Sequence, residues 1–301
     1  MKIYKKPYLN NIITALITPF NLDNTINYKH LFELINFQIY NKIFDFVFFG
    51  TTGENFLLND YEKKEFLNKI LSEYEKKINI IIGIFENDYR KCINYINYYS
   101  YYFKIENFLV SNPFYLTSDQ EGIYEFYFKI SKSVNSNIIL YNNPFRSSCN
   151  IDGSTAKKIF YNCPNIIGIK NSVKNINKNL EMIKITNSFK NFFFCGDDFN
   201  LLVLLKNYIK GIISCFSNIF PKLYFEIFNS YLNNDFLNLE LLINQLIDNF
   251  YILRKEKNPV NTKCLLYFLF NIENYFRIPL SNKSFKYLIN LKKKIKFFNL
   301  L

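Results

Sequence analysis

Eight short apolar runs recur along the chain, and each is followed by a longer stretch with helical periodicity. A continuous apolar run without polar alternation is typical of a strand in a parallel sheet that is covered on both faces. The runs are Ile12–Ile17, Phe46–Phe49, Ile80–Phe85, Phe108–Ser111, Ile138–Tyr141, Ile166–Lys170, Phe192–Cys195 and Gly211–Cys215. Eight strand–helix alternations within about 220 residues predict an α/β fold, a closed (β/α)8 TIM barrel.

Local signals support the helices between these runs. Asn59 is followed three residues later by Glu62, which is the spacing of a capping box, and Phe66, Ile70 and Tyr74 then fall on one face. After Phe220 the pattern is helical to the end of the chain. We therefore predict a barrel over residues 1–225 and, over residues 226–301, a C-terminal extension of two or three helices packed on the barrel.

The net charge of +12 could indicate a nucleic-acid or membrane partner. The positive charge is almost all lysine, however, with only Arg90, Arg146, Arg254 and Arg277, and it is scattered along the chain. Since proteins that bind phosphate groups favour arginine for bidentate contacts, we expect neither a nucleic-acid nor a membrane partner. The six cysteines are far apart and no run approaches transmembrane length, so we expect a cytoplasmic protein with reduced thiols.

In a barrel of this kind, chemistry is carried by residues at the C-terminal ends of the strands. Lys170 ends the sixth run, which otherwise reads Ile-Ile-Gly-Ile. A partly desolvated lysine loses part of its proton affinity, and its amine can then attack a carbonyl carbon to form an imine. The alternative is a lysine that only reaches water from a strand end.

Two other strand ends carry candidate residues. The second run is followed by Gly50–Glu54 (Gly-Thr-Thr-Gly-Glu), which contains two of the chain's eight glycines and could present hydroxyls and backbone N–H groups to a carboxylate. The fifth run ends at Tyr141, a possible proton carrier, and is followed by Arg146, whose guanidinium fits a carboxylate. Tyr141 could equally be a packing residue, because the chain has 24 tyrosines.

Metal and nucleotide chemistry have little support in the sequence. His30 is the only histidine, and Asp197–Asp198 has no third carboxylate at a useful spacing, so we interpret that pair as a helix cap. No Gly-rich nucleotide loop is present. We expect no cofactor.

Four motifs in register resemble the dihydrodipicolinate synthase/N-acetylneuraminate lyase superfamily. They are Gly50–Glu54 after the second run, Asn112–Tyr115 after the fourth, Tyr141–Arg146 after the fifth and Gly168–Lys170 ending the sixth. The likeness extends over nearly the whole chain and is strongest to the branch that condenses pyruvate with aspartate semialdehyde in lysine biosynthesis.

The resemblance implies a role for each matching residue. Lys170 would form the imine with pyruvate, and Thr51, Tyr141 and Tyr115 would relay protons. Thr51 and Thr52 would lie at the substrate carboxylate, and the backbone carbonyl of Ile213 would face the pyruvate. Arg146 would hold the carboxylate of the second substrate. Because the family places the tyrosine that Tyr115 matches in a neighbouring subunit's site, a homo-oligomer, a dimer or a tetramer, is also implied.

The chain departs from the family pattern at three places. The stretch Gly83–Asp88 lacks the small residues that are common there, and Ser147-Ser148 replaces the usual Thr-Gly. Residues at positions where lysine-inhibited members differ are Asn55, Phe56, Asp60, Lys63 and Phe114. These differences predict weak or absent feedback inhibition by lysine.

Two other functions remain open on the sequence alone. A sister aldolase could cleave N-acetylneuraminate or a 2-keto-3-deoxy sugar acid through the same imine, although sialic acid lyases usually lack the arginine matched by Arg146. A basic barrel that has lost catalysis could bind an anionic partner.

Overall fold

The computed structural model describes residues 9–253 and 256–294. Hydrogen bonds join eight parallel strands in chain order, β1 to β8, into a closed barrel. The strands are β1 (Ile12–Ala15), β2 (Asp45–Phe48), β3 (Asn79–Ile84), β4 (Asn107–Ser111), β5 (Asn137–Asn142), β6 (Ile166–Asn171), β7 (Phe192–Cys195) and β8 (Gly211–Ser214). Every predicted apolar run is therefore a strand, and the predicted fold class is confirmed.

Helices separate the strands and continue after β8. They are α1 (Tyr28–Tyr40), α2 (Asp60–Tyr74), α3 (Tyr89–Phe103), α4 (Gln120–Ser133), α5 (Pro144–Ser147), α6 (Gly153–Asn162), α7 (Ile176–Ser188), α8 (Leu201–Leu205), α9 (Pro221–Leu232), α10 (Phe236–Leu253), α11 (Val260–Phe270) and α12 (Phe285–Lys294). No helix in the described part of the chain combines the length and apolarity needed to cross a bilayer.

The capping box before α2 is confirmed. The Asn59 backbone N–H donates to the Glu62 carboxylate at 3.0 Å, and the Glu62 N–H donates to Asn59 Oδ1 at 2.9 Å. Phe66, Ile70 and Tyr74 are all buried, as their spacing predicted. Local sequence thus fixes both where this helix begins and which face it buries.

Two compact units make up the chain. Of the described residues, the first unit contains 9–11 and Leu67–Ile213, and the second contains Ile12–Phe66 and those from Ser214 onward. The extension predicted over residues 226–301 belongs to the second unit; residues 295–301 lie outside the described residues. The division into a barrel over residues 1–225 and a helical extension over residues 226–301 stays a prediction.

The first unit places its strand ends in register. Ser111 of β4 pairs with Tyr141 of β5, and Tyr141 pairs with Lys170 of β6. A Cβ atom on Gly168 would lie 2.4 Å from the carbonyl oxygen of Phe192, so β6 and β7 can approach this closely only because Gly168 has no side chain. The glycine two residues before Lys170 therefore has a packing role.

In the second unit, a buried polar bridge connects β1 with the 3-10 helix Phe216–Asn218. The Thr14 hydroxyl donates to Gln38 at 2.8 Å and lies 2.9 Å from Ser217 Oγ. The Asn218 side chain donates to the Ala15 carbonyl at 2.8 Å and accepts from the Ile17 N–H. Satisfied buried groups of this kind fix one arrangement of β1 and the segment after β8.

Candidate active site

Lys170 and Tyr141 are neighbours at the C-terminal ends of β6 and β5. The Lys170 Nζ atom lies 4.6 Å from the centre of the Tyr141 ring, and both residues are only 8% exposed. Ile167 and Ile169 of β6 are fully buried. The amine is thus held at the edge of an apolar strand and over an aromatic face, not extended into bulk water.

The Tyr141 hydroxyl has a neighbour of its own. Asn143 Nδ2 donates to the hydroxyl oxygen at 3.0 Å, and the Phe85 ring packs 5.7 Å from the Tyr141 ring. Phe85 belongs to the stretch after β3 that lacks the family's small residues, and here it is buried. These two contacts hold the phenol in place beside Lys170.

Buried asparagines at or just after the ends of β4, β5 and β6 form a chain of hydrogen bonds. Asn112 Nδ2 donates to Asn142 Oδ1 at 3.1 Å, Asn142 Nδ2 donates to Asn171 Oδ1 at 2.8 Å, and Asn171 Nδ2 donates to Asn179 Oδ1 at 3.0 Å. At its far end the Tyr127 hydroxyl donates to Asn112 Oδ1 at 2.8 Å. Amide side chains can link in this way because each carries both donors and an acceptor.

The asparagine chain connects the strand ends that carry the candidate residues. Asn142 directly follows Tyr141, Asn171 directly follows Lys170, and Asn112 follows the end of β4. Sequence reasoning missed this chain. Its signal, an asparagine at three successive strand ends, is hidden because asparagine is abundant throughout the sequence.

Arg146 and Tyr115 lie on exposed segments of the first unit. Arg146 is in the short helix α5. Ser148, which ends α5, has φ 59° and ψ 9°, so it adopts the left-handed conformation that glycine adopts most easily. The Ser-Ser replacement therefore still permits a left-handed end to this turn. Ser147 Oγ lies 3.1 Å from the Asn143 carbonyl oxygen and 2.9 Å from that of Cys149, and its one proton can donate to either.

Tyr115 is largely exposed and has a positive φ, two properties that Tyr208 shares. It is 89% exposed, and its φ of 70° places a bulky residue in the left-handed region. Such a conformation is costly and persists where the surrounding structure enforces it, often at a functional position.

The second unit carries the turn Gly50–Glu54 at the end of β2. Thr52 is 3% exposed and accepts a hydrogen bond from Asn258 Nδ2 at 2.8 Å, whereas Thr51 is half-buried. Thr18 Oγ1 donates to the Gly53 carbonyl at 2.8 Å. A Cβ atom at Gly53 would lie 3.2 Å from the Leu16 carbonyl oxygen, a tight contact that favours glycine at this position.

A buried ion pair anchors the end of the same turn. Lys263 Nζ lies 2.6 Å from Glu54 Oε1, and the two side chains are 0% and 1% exposed. Lys263 also donates to the Tyr275 carbonyl at 3.0 Å and lies 4.3 Å from the centre of the Phe20 ring. Burial raises the pKa of the Glu54 carboxyl and lowers the pKa of the Lys263 ammonium, while their mutual attraction opposes both shifts. Sequence reasoning did not find this pair, whose members are 209 residues apart.

The remaining candidates from the sequence are Ile213 and the pair Asp197–Asp198. Ile213 is buried in β8 at 1% exposure. Asp197 accepts a hydrogen bond from the Phe199 N–H at 3.4 Å and caps the 3-10 helix Asp198–Asn200, as interpreted from the sequence. Among the residues that the structure describes, no group of three or more His, Cys, Asp or Glu side chains could hold a metal ion.

Comparisons with known proteins find a family model, relatives and solved structures that are similar to this chain. Residues 8–297 match the model of the dihydrodipicolinate synthetase family. A 4-hydroxy-tetrahydrodipicolinate synthase from Wigglesworthia glossinidia brevipalpis is 34% identical over 283 residues, which is 93% of this chain and 94% of that relative. The crystal structure of dihydrodipicolinate synthase from Thermotoga maritima superposes with a TM-score of 0.92 at 27% identity, covering 97% of this chain and 99% of that one. The chloride-inhibited dihydrodipicolinate synthase from Acinetobacter baumannii, solved in complex with pyruvate, has a TM-score of 0.90 at 28% identity, covering 98% of this chain and 100% of that one.

Proposed function

We propose that this chain, which belongs to the dihydrodipicolinate synthetase family, condenses pyruvate with L-aspartate 4-semialdehyde to give 4-hydroxy-tetrahydrodipicolinate in the diaminopimelate route of lysine biosynthesis. The chain is thus a lyase of the same type as the relatives it matches. The observation that carries the proposal is the pairing of a buried strand-end lysine, Lys170, with the ring of Tyr141.

The proposed chemistry starts with an imine. The Lys170 amine attacks the C2 carbonyl carbon of pyruvate, and loss of water leaves a protonated imine. The positive nitrogen makes the pyruvate methyl group acidic, and removal of one proton gives an enamine. The enamine carbon then bonds to the aldehyde carbon of the semialdehyde, and the aldehyde oxygen takes up a proton. The semialdehyde's amine displaces the lysine from C2 as the ring closes, so the lysine amine is regenerated without a separate cofactor.

Tyr141 is the proposed proton carrier for these steps. Two contacts support this role: the Lys170 amine lies over the Tyr141 ring, and Asn143 donates a hydrogen bond to the Tyr141 hydroxyl. A proton that is transferred by a fixed tyrosine hydroxyl need not pass through bulk water.

Binding of the two carboxylates is assigned to different segments. Residues at the C-terminal ends of barrel strands carry the chemistry, and the turn Gly50–Glu54 directly follows β2. We assign Thr51 and Thr52 to the pyruvate carboxylate, Thr51 also to the proton relay, and the Ile213 carbonyl to pyruvate contact. Arg146, which is exposed in α5, is assigned to the carboxylate of the semialdehyde.

Assembly into a homo-oligomer, a dimer or a tetramer, is part of the proposal. Tyr115 is 89% exposed and its backbone is held in the left-handed region, which suits a side chain that completes a neighbouring subunit's site. A cytoplasmic location is proposed as well. The six cysteines are free thiols, which suits a reducing compartment.

Borohydride reduction in the presence of pyruvate tests the central step. The wild-type protein should gain the mass of a reduced pyruvyl group on Lys170, and Lys170→Ala should gain none. Lys210→Ala is a matched control, because Lys210 Nζ also lies over an aromatic ring, that of Phe192, at 5.5 Å. It should be labelled like the wild type. Labelling that persists in Lys170→Ala would refute the mechanism.

A second assay tests the substrates. Turnover should be seen with pyruvate and aspartate semialdehyde, and not with N-acetylneuraminate or 2-keto-3-deoxy sugar acids. The reverse pattern would assign the chain to a sister aldolase that uses the same imine.

A further inference from the structure

Asn258 makes a direct contact with the turn assigned to pyruvate. Its Nδ2 atom donates to Thr52 Oγ1 at 2.8 Å, across 206 residues of sequence and within the second unit. Thr52 is 3% exposed, so bulk water has little access to this hydroxyl. Asn258 belongs to none of the motifs given a catalytic or binding role above.

The chemistry of a hydroxyl gives this contact a consequence. A threonine hydroxyl has one proton and two lone pairs, and its O–H bond rotates to suit its neighbours. A fixed N–H donor occupies one lone pair of Oγ1 and repels the hydroxyl proton. The proton of Thr52 therefore points away from Asn258, so that Thr52 must donate to a different acceptor.

We propose that Asn258 is a positioning residue that directs the Thr52 hydroxyl proton to the carboxylate of pyruvate and so sets the affinity for this substrate. The inference rests on the proposed function, since it assumes that Thr52 binds the carboxylate. A hydrogen bond to an ionised acceptor is about twice as strong as one between neutral groups, so the direction of this one proton matters for binding.

The rest of the turn is held by other contacts in the second unit. Lys263 binds Glu54, and Thr18 Oγ1 donates to the Gly53 carbonyl at 2.8 Å. Arg277 binds Glu62 in the segment that follows the turn. Because these contacts hold the backbone, losing the Asn258 amide should change the orientation of the Thr52 hydroxyl while the turn stays in place.

Two substitutions distinguish positioning from a merely structural role. Asn258→Ala removes the donor, and Thr52 is then oriented only by what remains. Asn258→Asp keeps the shape of the side chain but replaces the donor with a carboxylate, which would accept the Thr52 proton and repel the substrate carboxylate. If Asn258 only filled space, the isosteric Asp would be milder than Ala. If Asn258 orients the hydroxyl, Asp must be worse than Ala.

The measurement is the pyruvate concentration that half-saturates borohydride trapping on Lys170, together with KM and kcat in the full reaction. We expect Asn258→Ala to raise the half-saturating concentration about three- to tenfold, and Asn258→Asp to raise it more than tenfold. At saturating pyruvate, kcat should stay within about threefold of the wild type, since ground-state binding is what is lost.

A matched control and a double variant complete the experiment. Asn238 Nδ2 donates to Ser230 Oγ at 2.8 Å between α10 and α9, so Asn238→Ala removes an amide-to-hydroxyl bond of the same length. It should leave pyruvate trapping unchanged. In a Thr52→Val background, which has no hydroxyl to orient, Asn258→Ala should change the half-saturating concentration by less than about twofold.

Three results would overturn the inference: Asp milder than Ala, a shift in Asn238→Ala as large as that in Asn258→Ala, or a full Asn258→Ala effect in the Thr52→Val background. Failure of the proposed function looks different. In that case the wild-type protein itself would not be trapped by pyruvate and borohydride.

Discussion

Substitution of Lys263 by methionine tests whether the buried ion pair holds the turn that carries Thr51 and Thr52. Lys263 and Glu54 are 0% and 1% exposed, and Lys263 Nζ lies 2.6 Å from the carboxylate. Methionine fills a similar volume but leaves Glu54 without its cation. Removing one partner of a buried pair typically costs about 3–5 kcal/mol, because the remaining charge has no water to solvate it.

The size of this loss can be expressed as a melting temperature. Globular proteins unfold with an entropy of about 2.1 cal/mol/K per residue. For a chain of 301 residues that unfolds in one transition, a loss of about 3–5 kcal/mol lowers the melting temperature by about 5–8 °C. The combination Lys263→Met and Glu54→Gln removes both charges and should recover most of the stability.

The loss should also depend on pH. Burial raises the pKa of Glu54, and the attraction of Lys263 is the largest influence that lowers it again. Without Lys263 the pKa of Glu54 rises further. A carboxyl whose folded pKa exceeds its unfolded pKa contributes stability that is fully present below the unfolded pKa and is lost as pH rises through the folded pKa. The difference in unfolding free energy between wild type and Lys263→Met should therefore be small near about pH 5 and largest near about pH 8.

Thermal unfolding followed by circular dichroism measures both effects, since the chain has no tryptophan for fluorescence. Lys158→Met is the matched control. Lys158 Nζ lies 2.8 Å from Glu121, but the two side chains are 44% and 66% exposed. An exposed pair contributes little, so this variant should unfold almost like the wild type at both pH values. The reasoning is refuted if Lys263→Met loses no more stability than Lys158→Met, or if its loss is the same at both pH values.

Three further predictions concern activity. Arg146→Ala should raise KM for aspartate semialdehyde about tenfold while pyruvate trapping stays unchanged, because the guanidinium is assigned to the second carboxylate; weaker trapping would contradict that assignment. Tyr115→Phe should lower kcat about a hundredfold if its hydroxyl relays protons in a neighbouring subunit. Tyr208→Phe is the control and should leave kcat unchanged, since Tyr208 is likewise exposed, at 81%, with φ 59°. Full turnover by Tyr115→Phe would exclude the relay. Free lysine should inhibit weakly or not at all, as the resemblance implies from Asn55, Phe56, Asp60, Lys63 and Phe114; inhibition at sub-millimolar lysine would contradict this.

The sequence predicted the elements that depend on local chemistry. All eight strands lie within two residues of their apolar runs, because burial on both faces requires a continuous apolar segment whatever the partner strands are. The capping box at Asn59 and the buried face of α2 were also predicted, because both depend on residues that are close together along the chain. A lysine that ends an apolar run must also lie at a strand end, which gave the position of Lys170.

What the sequence could not decide is which distant side chains meet. In the sequence, Asn142 and Asn171 look like two of many asparagines. Only strand register brings Asn142 Nδ2 to 2.8 Å from Asn171 Oδ1. Lys263 looks like one of many lysines until folding removes it from water beside Glu54.

Glu54 and Lys263 are 209 residues apart, and Thr52 and Asn258 are 206 residues apart. Periodicity and capping arise within a few residues along the chain, so a local reading recovers them. The strength of a charge pair or an amide–hydroxyl bond depends on burial and on distances of a few ångströms across the fold, and only the tertiary structure sets those.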